Sequence, residues 1–286
     1  MTGWQVLAIP VDQALLVALS VGVAALIRAF TGFGFAMLAV PVFSLLLLPG
    51  DAVVLSAVLA LILGLMSYRS WWGLFPVTPA VPMVSGSVLG TGVGVWFLAS
   101  LSVTEFQLWI GILVVAASLV LSRFTPRERA ASGSISLGTG VASGLMNGAF
   151  AIPGPPVILY VVATMENPVH SRAFLMMFFW CSSIVSLAMF GIAGLITPKP
   201  FQLLWVALPA MWLGNQLGNW AFARFAGPAY RPFVVGLCIV IGLSISAKAS
   251  EPIIHTKECS GFSSINSLKV EIAYEGSFFL ISLLSI

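Results

Sequence analysis

One arginine, Arg28, stands well inside an apolar stretch long enough to cross a membrane. A charge at the bilayer centre costs at least about 2.5–3.5 kcal/mol, so a residue of this kind is a candidate ligand for something of opposite charge. It opens the stretch Arg28-Ala-Phe-Thr-Gly-Phe-Gly-Phe-Ala-Met-Leu-Ala-Val-Pro41, and a related stretch, Met146-Asn-Gly-Ala-Phe-Ala-Ile-Pro-Gly-Pro-Pro156, follows in the other half of the chain. Glycine and proline there break helices and free backbone groups that lipid cannot hydrogen-bond, so the breaks must line a cavity or be buried in protein. A matched pair of such breaks in two halves of a chain points to a transporter's substrate site. Helices restarting near Phe35 and Pro155 would aim free N–H groups and positive dipole ends at that site, which favours an anion.

Thr31 and Asn147 occupy matching places, each directly before a glycine (Gly32 and Gly148). The expected site comprises Arg28, Thr31, Gly32, Gly34, Asn147, Gly148, Gly154 and Pro155, with Arg28, Thr31 and Asn147 touching a small oxyanion. Plainer readings stand beside this one. Arg28 can snorkel to the headgroups as a positive anchor near its helix end, and Thr31 and Asn147 can serve as helix caps with no ligand.

The elements that must position these residues are membrane helices. Of the 286 residues, 59% are apolar and 7% charged, and the mean hydropathy is +1.08. Soluble domains carry about 25% charged residues. The chain therefore reads as an all-α polytopic membrane protein. Its continuous apolar runs exclude the alternating pattern of a membrane β-barrel. A net charge of +3, scattered along the chain, gives no case for nucleic-acid binding. The cysteines, Cys181, Cys238 and Cys259, have neither metal nor redox spacing and read as core filler. No cofactor is called for. No basic residue precedes the first apolar run, so the N-terminus does not read as a cleaved signal peptide.

Candidate membrane segments are 13–31, 34–49, 52–68, 77–99, 106–122, 134–151, 155–165, 173–196, 201–223 and 230–247. The short ones, 34–49 and 155–165, each follow a break. If both return across the membrane, Arg69, Arg123, Arg127, Arg129, Arg172, Arg224 and Arg231 share one side, as the positive-inside rule asks. The N-terminus is then outside and the 123–132 linker cytoplasmic. Residues 1–122 and 133–247 become two transmembrane repeats of five segments each, and the odd number makes them inverted. Residues 248–286 carry seven charges and a terminal apolar run too short to span, and read as an atypical peripheral tail.

Each half also holds a proline followed by glycines four apart: Pro82 with Gly86 and Gly90, and Pro209 with Gly214 and Gly218. These suit close helix packing, while Asn215, Gln216 and Asn219 can add a polar lining to a path. Asp12, Asp51, Glu105, Glu128 and Glu166 fall at segment ends or in loops, which argues against a cation carrier with carboxylate ligands. His170 and Arg172 are expected as interfacial anchors or a cytoplasmic gate. Most of the nine tryptophans sit near segment ends, as an aromatic belt does. There is no Ser/His/Asp set, metal cluster or carboxylate pair for an enzyme.

The first break motif, together with Gly154-Pro-Pro-Val-Ile-Leu-Tyr160, resembles the sulfite exporter TauE/SafE family over about residues 13–247. The resemblance implies a bacterial inner-membrane transporter moving sulfite, sulfonates or related organic anions. On this reading the chain is a secondary transporter for a small anion working by alternating access, its partners that anion and the lipid bilayer. A passive anion channel and a non-transporting membrane scaffold are the alternatives.

Overall fold

A computed structural model describes residues 11–123, 132–165 and 167–225. Those residues form nine α-helices and a short 3₁₀ turn at Tyr68–Ser70, with no strand among them. The helices are α1 (Val11–Thr31), α2 (Phe35–Leu46), α3 (Pro49–Met66), α4 (Val77–Ser100), α5 (Val103–Arg123), α6 (Gly133–Phe150), α7 (Gly154–Thr164), α8 (Pro168–Ile192) and α9 (Lys199–Phe225). The expected segment 230–247 and the tail lie outside the described residues.

Four of these helices are long and apolar enough to cross a membrane: α1, α3, α4 and α8. At 12 and 11 residues, α2 and α7 are about 18 and 16 Å long at 1.5 Å per residue, roughly half the hydrocarbon thickness. Large apolar side chains point outward, with Trp96 and Trp205 75% and 78% exposed. This is the surface of a protein whose outer face meets lipid rather than water.

Two of the starts that fall earlier than apolar runs suggest are at prolines. Pro49 opens α3, where 52 was expected, and Pro168 opens α8, where 173 was expected. Proline suits the first helical turn, where its missing N–H costs nothing. Before Pro168, the Asn167 side chain accepts the Val169 N–H at 2.9 Å and caps the helix. Both signals are polar or backbone-specific, so a search for apolar runs passes over them.

Glycine decides which helices pair. The most extensive pairing is α4 with α6, and the next is α1 with α9. On α4, Gly86, Gly90 and Gly94 face the backbone of α6; on α6, Gly140, Gly144 and Gly148 face the backbone of α4. A Cβ on Gly144 would overlap the Ser87 carbonyl oxygen and sit 2.7 Å from the Ser87 Cα. Gly214 and Gly218 bring α9 equally close to Gly22 and Leu26 of α1. Without side chains between them, two backbones gain dispersion contacts along their length, which is how helices associate where no hydrophobic effect separates them from lipid.

The layout repeats. The ends of α1 and α6, the starts of α2 and α7, and the starts of α3 and α8 are each 119 residues apart (Thr31 to Phe150, Phe35 to Gly154, Pro49 to Pro168). Under that correspondence, with α4 matched to α9, the α1–α9 pairing exchanges with α6–α4. Likewise α1–α2 exchanges with α6–α7, and α3–α9 with α8–α4, while α3 and α8 pack directly on each other.

Candidate functional site

The two breaks converge on one cavity of about 470 Å3, counting the space at its mouth. Arg28 enters it from the last turn of α1. The first turn of α2 contributes Phe35, Ala36 and Met37, next to the N-cap Gly34. The start of α7 contributes Gly154, beside its N-cap Pro153. Asn147 enters from α6, Ser56 from α3 and Phe179 from α8.

Each break has a local physical cause. Gly32 and Gly34 adopt φ of +89° and +94°, conformations that a side chain disfavours. At the second break Ala151, with φ 54°, ends α6, and Pro153 and Pro155 cannot continue its hydrogen-bond ladder. Hydroxyls take up the carbonyls exposed there. The Thr31 hydroxyl lies 2.8 Å from both the Ile27 and Phe33 carbonyl oxygens, and its oxygen accepts the Phe33 N–H at 3.2 Å. At the other break the Ser143 hydroxyl donates to the Pro153 carbonyl at 2.5 Å.

Arg28 is 1% exposed, and neither Nη1 nor Nη2 has a hydrogen-bond partner. It has not reached a headgroup region; it is sealed inside the protein, facing the cavity. An unpaired buried charge of this kind is expensive. The starts of α2 and α7 also line the cavity, where Gly154 keeps the N–H that Pro155 and Pro156 lack, and the positive dipole ends of both helices add to the charge of Arg28. This constellation suits a bound anion: a guanidinium can grip two oxygens, and helix starts favour negative charge.

The structure brings Arg28, Gly34, Asn147 and Gly154 to the cavity wall. It places the other expected residues elsewhere. Thr31 holds the break together, as described. Gly32 lies against Arg172, where a Cβ would sit 3.0 Å from Cγ and 3.2 Å from Cα. Gly148 is part of the α4–α6 contact, 2.8 Å from the Val95 nitrogen by the same measure. Pro155 is buried in the first turn of α7. Asn215 accepts a hydrogen bond from the Ser67 hydroxyl at 3.2 Å, which ties α9 to the end of α3.

Asn147 is held firmly. Its Nδ2 faces the Ser182 carbonyl at 3.0 Å, the Ser182 hydroxyl at 2.9 Å and the Ser186 hydroxyl. Arg172 is buried rather than exposed. It is 6% exposed, and its Nε donates to the Ala29 carbonyl at 3.0 Å. Its Nη2 donates to that same carbonyl and to Asn219 Oδ1, the latter at 2.7 Å. The guanidinium lies 3.9 Å from the centre of the Phe222 ring. Arg172 therefore caps the broken end of α1, where a cation complements the negative end of the helix dipole. The polar cavity residues that sequence reasoning missed are Ser183 and Ser56, the latter with a buried hydroxyl that has no partner.

Fold and cavity together define a multi-pass helical membrane protein built around an internal, positively lined site. The sulfite exporter TauE/SafE family matches residues 16–245, and the chain belongs to that family of transporters. It is similar to a protein of Cupriavidus necator named probable sulfite/organosulfonate exporter TauE. The two are 26% identical over 232 residues, covering 78% of this chain and 89% of the relative. No solved structure matches the chain.

Proposed function

We propose that the chain is a secondary transporter of the bacterial inner membrane that moves a small anion, a sulfur oxyanion or an organosulfonate, by alternating access. The observation that carries this reading is the partnerless Arg28 guanidinium, buried in the cavity where α2 and α7 begin. The name of the Cupriavidus necator relative supports the substrate class. The moving parts are two inverted repeats, residues 1–122 and 133–247, joined by a cytoplasmic linker at 123–132, with 248–286 as a peripheral tail. The constant 119-residue spacing and the exchange of helix pairings support that division. Arg28 holds the anion's charge, the N–H groups near Gly34 and Gly154 add donors, Asn147, its Nδ2 committed to Ser182 and Ser186, forms the facing wall, and α3 against α8 forms the seam about which the repeats rock.

The test is sulfite flux into proteoliposomes holding the purified full chain, with and without a pH gradient. Saturable flux with counterflow is expected, and R28Q abolishes it while reconstituting to the same level. Undiminished flux in R28Q would overturn the assignment of the site. An electrical current without counterflow would replace the transporter with a channel.

A further inference from the structure

The cavity wall is not uniform, and its two chemistries say what the rest of the substrate must be. Its free polar groups are mostly donors. Arg28 offers two guanidinium nitrogens, and the Ser56 hydroxyl, 1% exposed, is likewise without a partner. Several carbonyls around the cavity are already hydrogen-bonded. At each break one carbonyl, of Phe33 in the first and of Pro153 in the second, already has a hydroxyl from Thr31 or Ser143 against it. The hydroxyl of Ser183, which also lines the cavity, donates to the Phe179 carbonyl at 2.7 Å. Among the described residues no aspartate or glutamate lines the cavity. Among the described lining residues the side-chain acceptors, the Asn147 amide oxygen and the serine hydroxyls, are neutral.

Beside these donors the wall is apolar. Phe33, Phe35, Met37, Ile152 and Phe179 all line it. Gly154 joins the two surfaces: a Cβ there would be 3.8 Å from the Met37 sulfur and 4.0 Å from the tip of Phe179. The helix start of α7 therefore opens directly onto apolar side chains. An anionic group at the donors leaves any attached arm against rings and a thioether, where a methylene gains by leaving water. An ammonium in the same place loses its hydration, finds no carboxylate, and shares the cavity with a guanidinium of like charge.

We infer that this site selects a monoanion with a short uncharged arm, such as an alkyl sulfonate, and rejects zwitterions whose arm ends in an ammonium. The inference rests on the anion-site reading above and adds a rule for the arm. Ser56 is a substrate ligand in this scheme, donating to an oxygen of the anionic group.

Propane-1-sulfonate and 2-aminoethanesulfonate are matched in size and differ by a methyl in place of an ammonium. Their affinities, with that of sulfite, are measured by titration calorimetry on the full chain in micelles. Propane-1-sulfonate is expected to bind about 100-fold or more tightly than the aminosulfonate, the scale that an uncompensated buried charge imposes. It also binds more tightly than armless sulfite. S56A weakens propane-1-sulfonate and sulfite by about tenfold or more, the scale of a lost hydrogen bond to a charged group, and leaves the preference over the zwitterion in place. Equal affinity for the two matched sulfonates overturns the rule while the anion site stands. Tighter binding of sulfite than of propane-1-sulfonate overturns the contribution of the apolar wall. Binding of none of the three overturns the anion site, and this inference falls with it.

Discussion

Arg28→Met separates the cost of the buried charge from its use. The guanidinium is 1% exposed, and both terminal nitrogens lack a partner within the protein. Desolvating an ion without compensation costs several kcal/mol even after relaxation. Part of that is offset because Arg28 lies in the last turn of α1, where the helix dipole favours a cation by about 0.3–1 kcal/mol, more when buried. Methionine keeps much of the volume, fills irregular gaps and carries no charge. R28M is therefore expected to be more stable than the parent without anion, by about 1–3 kcal/mol after the dipole contribution is subtracted. Anion reverses the order of benefit. At 100 times its Kd a ligand stabilises its host by about 2.7 kcal/mol, which the parent gains and R28M does not. Thermal unfolding of both proteins in micelles, with and without propane-1-sulfonate, reads all four states. If R28M were the less stable protein without anion, or were still stabilised by it, the buried guanidinium would not be the cation that holds the substrate.

The glycine contacts are tested by a pair of alanines on one helix. G144A places a Cβ against the Ser87 backbone and is expected to cost about 1–3 kcal/mol by overpacking, whereas G138A meets no atom within 4 Å and gains up to about 1 kcal/mol of helix propensity; thermal unfolding of the two compares them. G32A combines a φ of +89° with a Cβ 3.0 Å from Arg172 Cγ, so it is expected to lose more stability than G73A, whose φ is +74° but whose Cβ position is open. R172K keeps the charge but loses the fork that reaches Ala29 and Asn219 together. Its expected loss is about 1.5–3 kcal/mol, seen as earlier proteolysis at the α1–α2 break.

Much of this site is legible in the sequence because breaking a membrane helix takes unusual residues. Gly32, Gly34 and the run Pro153-Gly-Pro-Pro156 stand out against apolar surroundings, and Arg28 stands out as a charge. Ser56 does not. Helix α3 is apolar nearly all round, so periodicity gives it no distinctive face, and a small hydroxyl in such a helix reads as filler. The small-residue spacing of Gly86–Gly90 and Gly214–Gly218 announces close packing but not the partner, since any backbone accepts a glycine face. Only the folded chain pairs α4 with α6 and α1 with α9. The match of Thr31 with Asn147, drawn from their neighbouring glycines, also gives way to a different register. Counting back from the helix ends, the position equivalent to Asn147 is Arg28: each lies three residues before its helix stops, at Phe150 and Thr31.

Under the proposed division into two repeats, both halves share one site. Equivalent positions on α1 and α6 reach the same cavity. Identical residues there would fill it with two arginines or with none. Two guanidiniums in one buried space repel each other and double the desolvation cost, while two asparagines leave the anion only neutral donors and dipoles. The chain has one of each, and they are held differently. Asn147 is anchored to Ser182 and Ser186 on α8, so one wall is fixed within the second half. Arg28 is anchored to nothing at its tip, so the charge on the other wall is free to follow a ligand. Under the proposed alternating access, the anion then ties the first repeat to the second through its own oxygens, and its departure leaves the halves joined only by apolar seams and glycine contacts. Coupling between occupancy and opening needs a contact that the ligand alone completes, and under that proposal Arg28, across the cavity from the start of α7 at Gly154, would provide it.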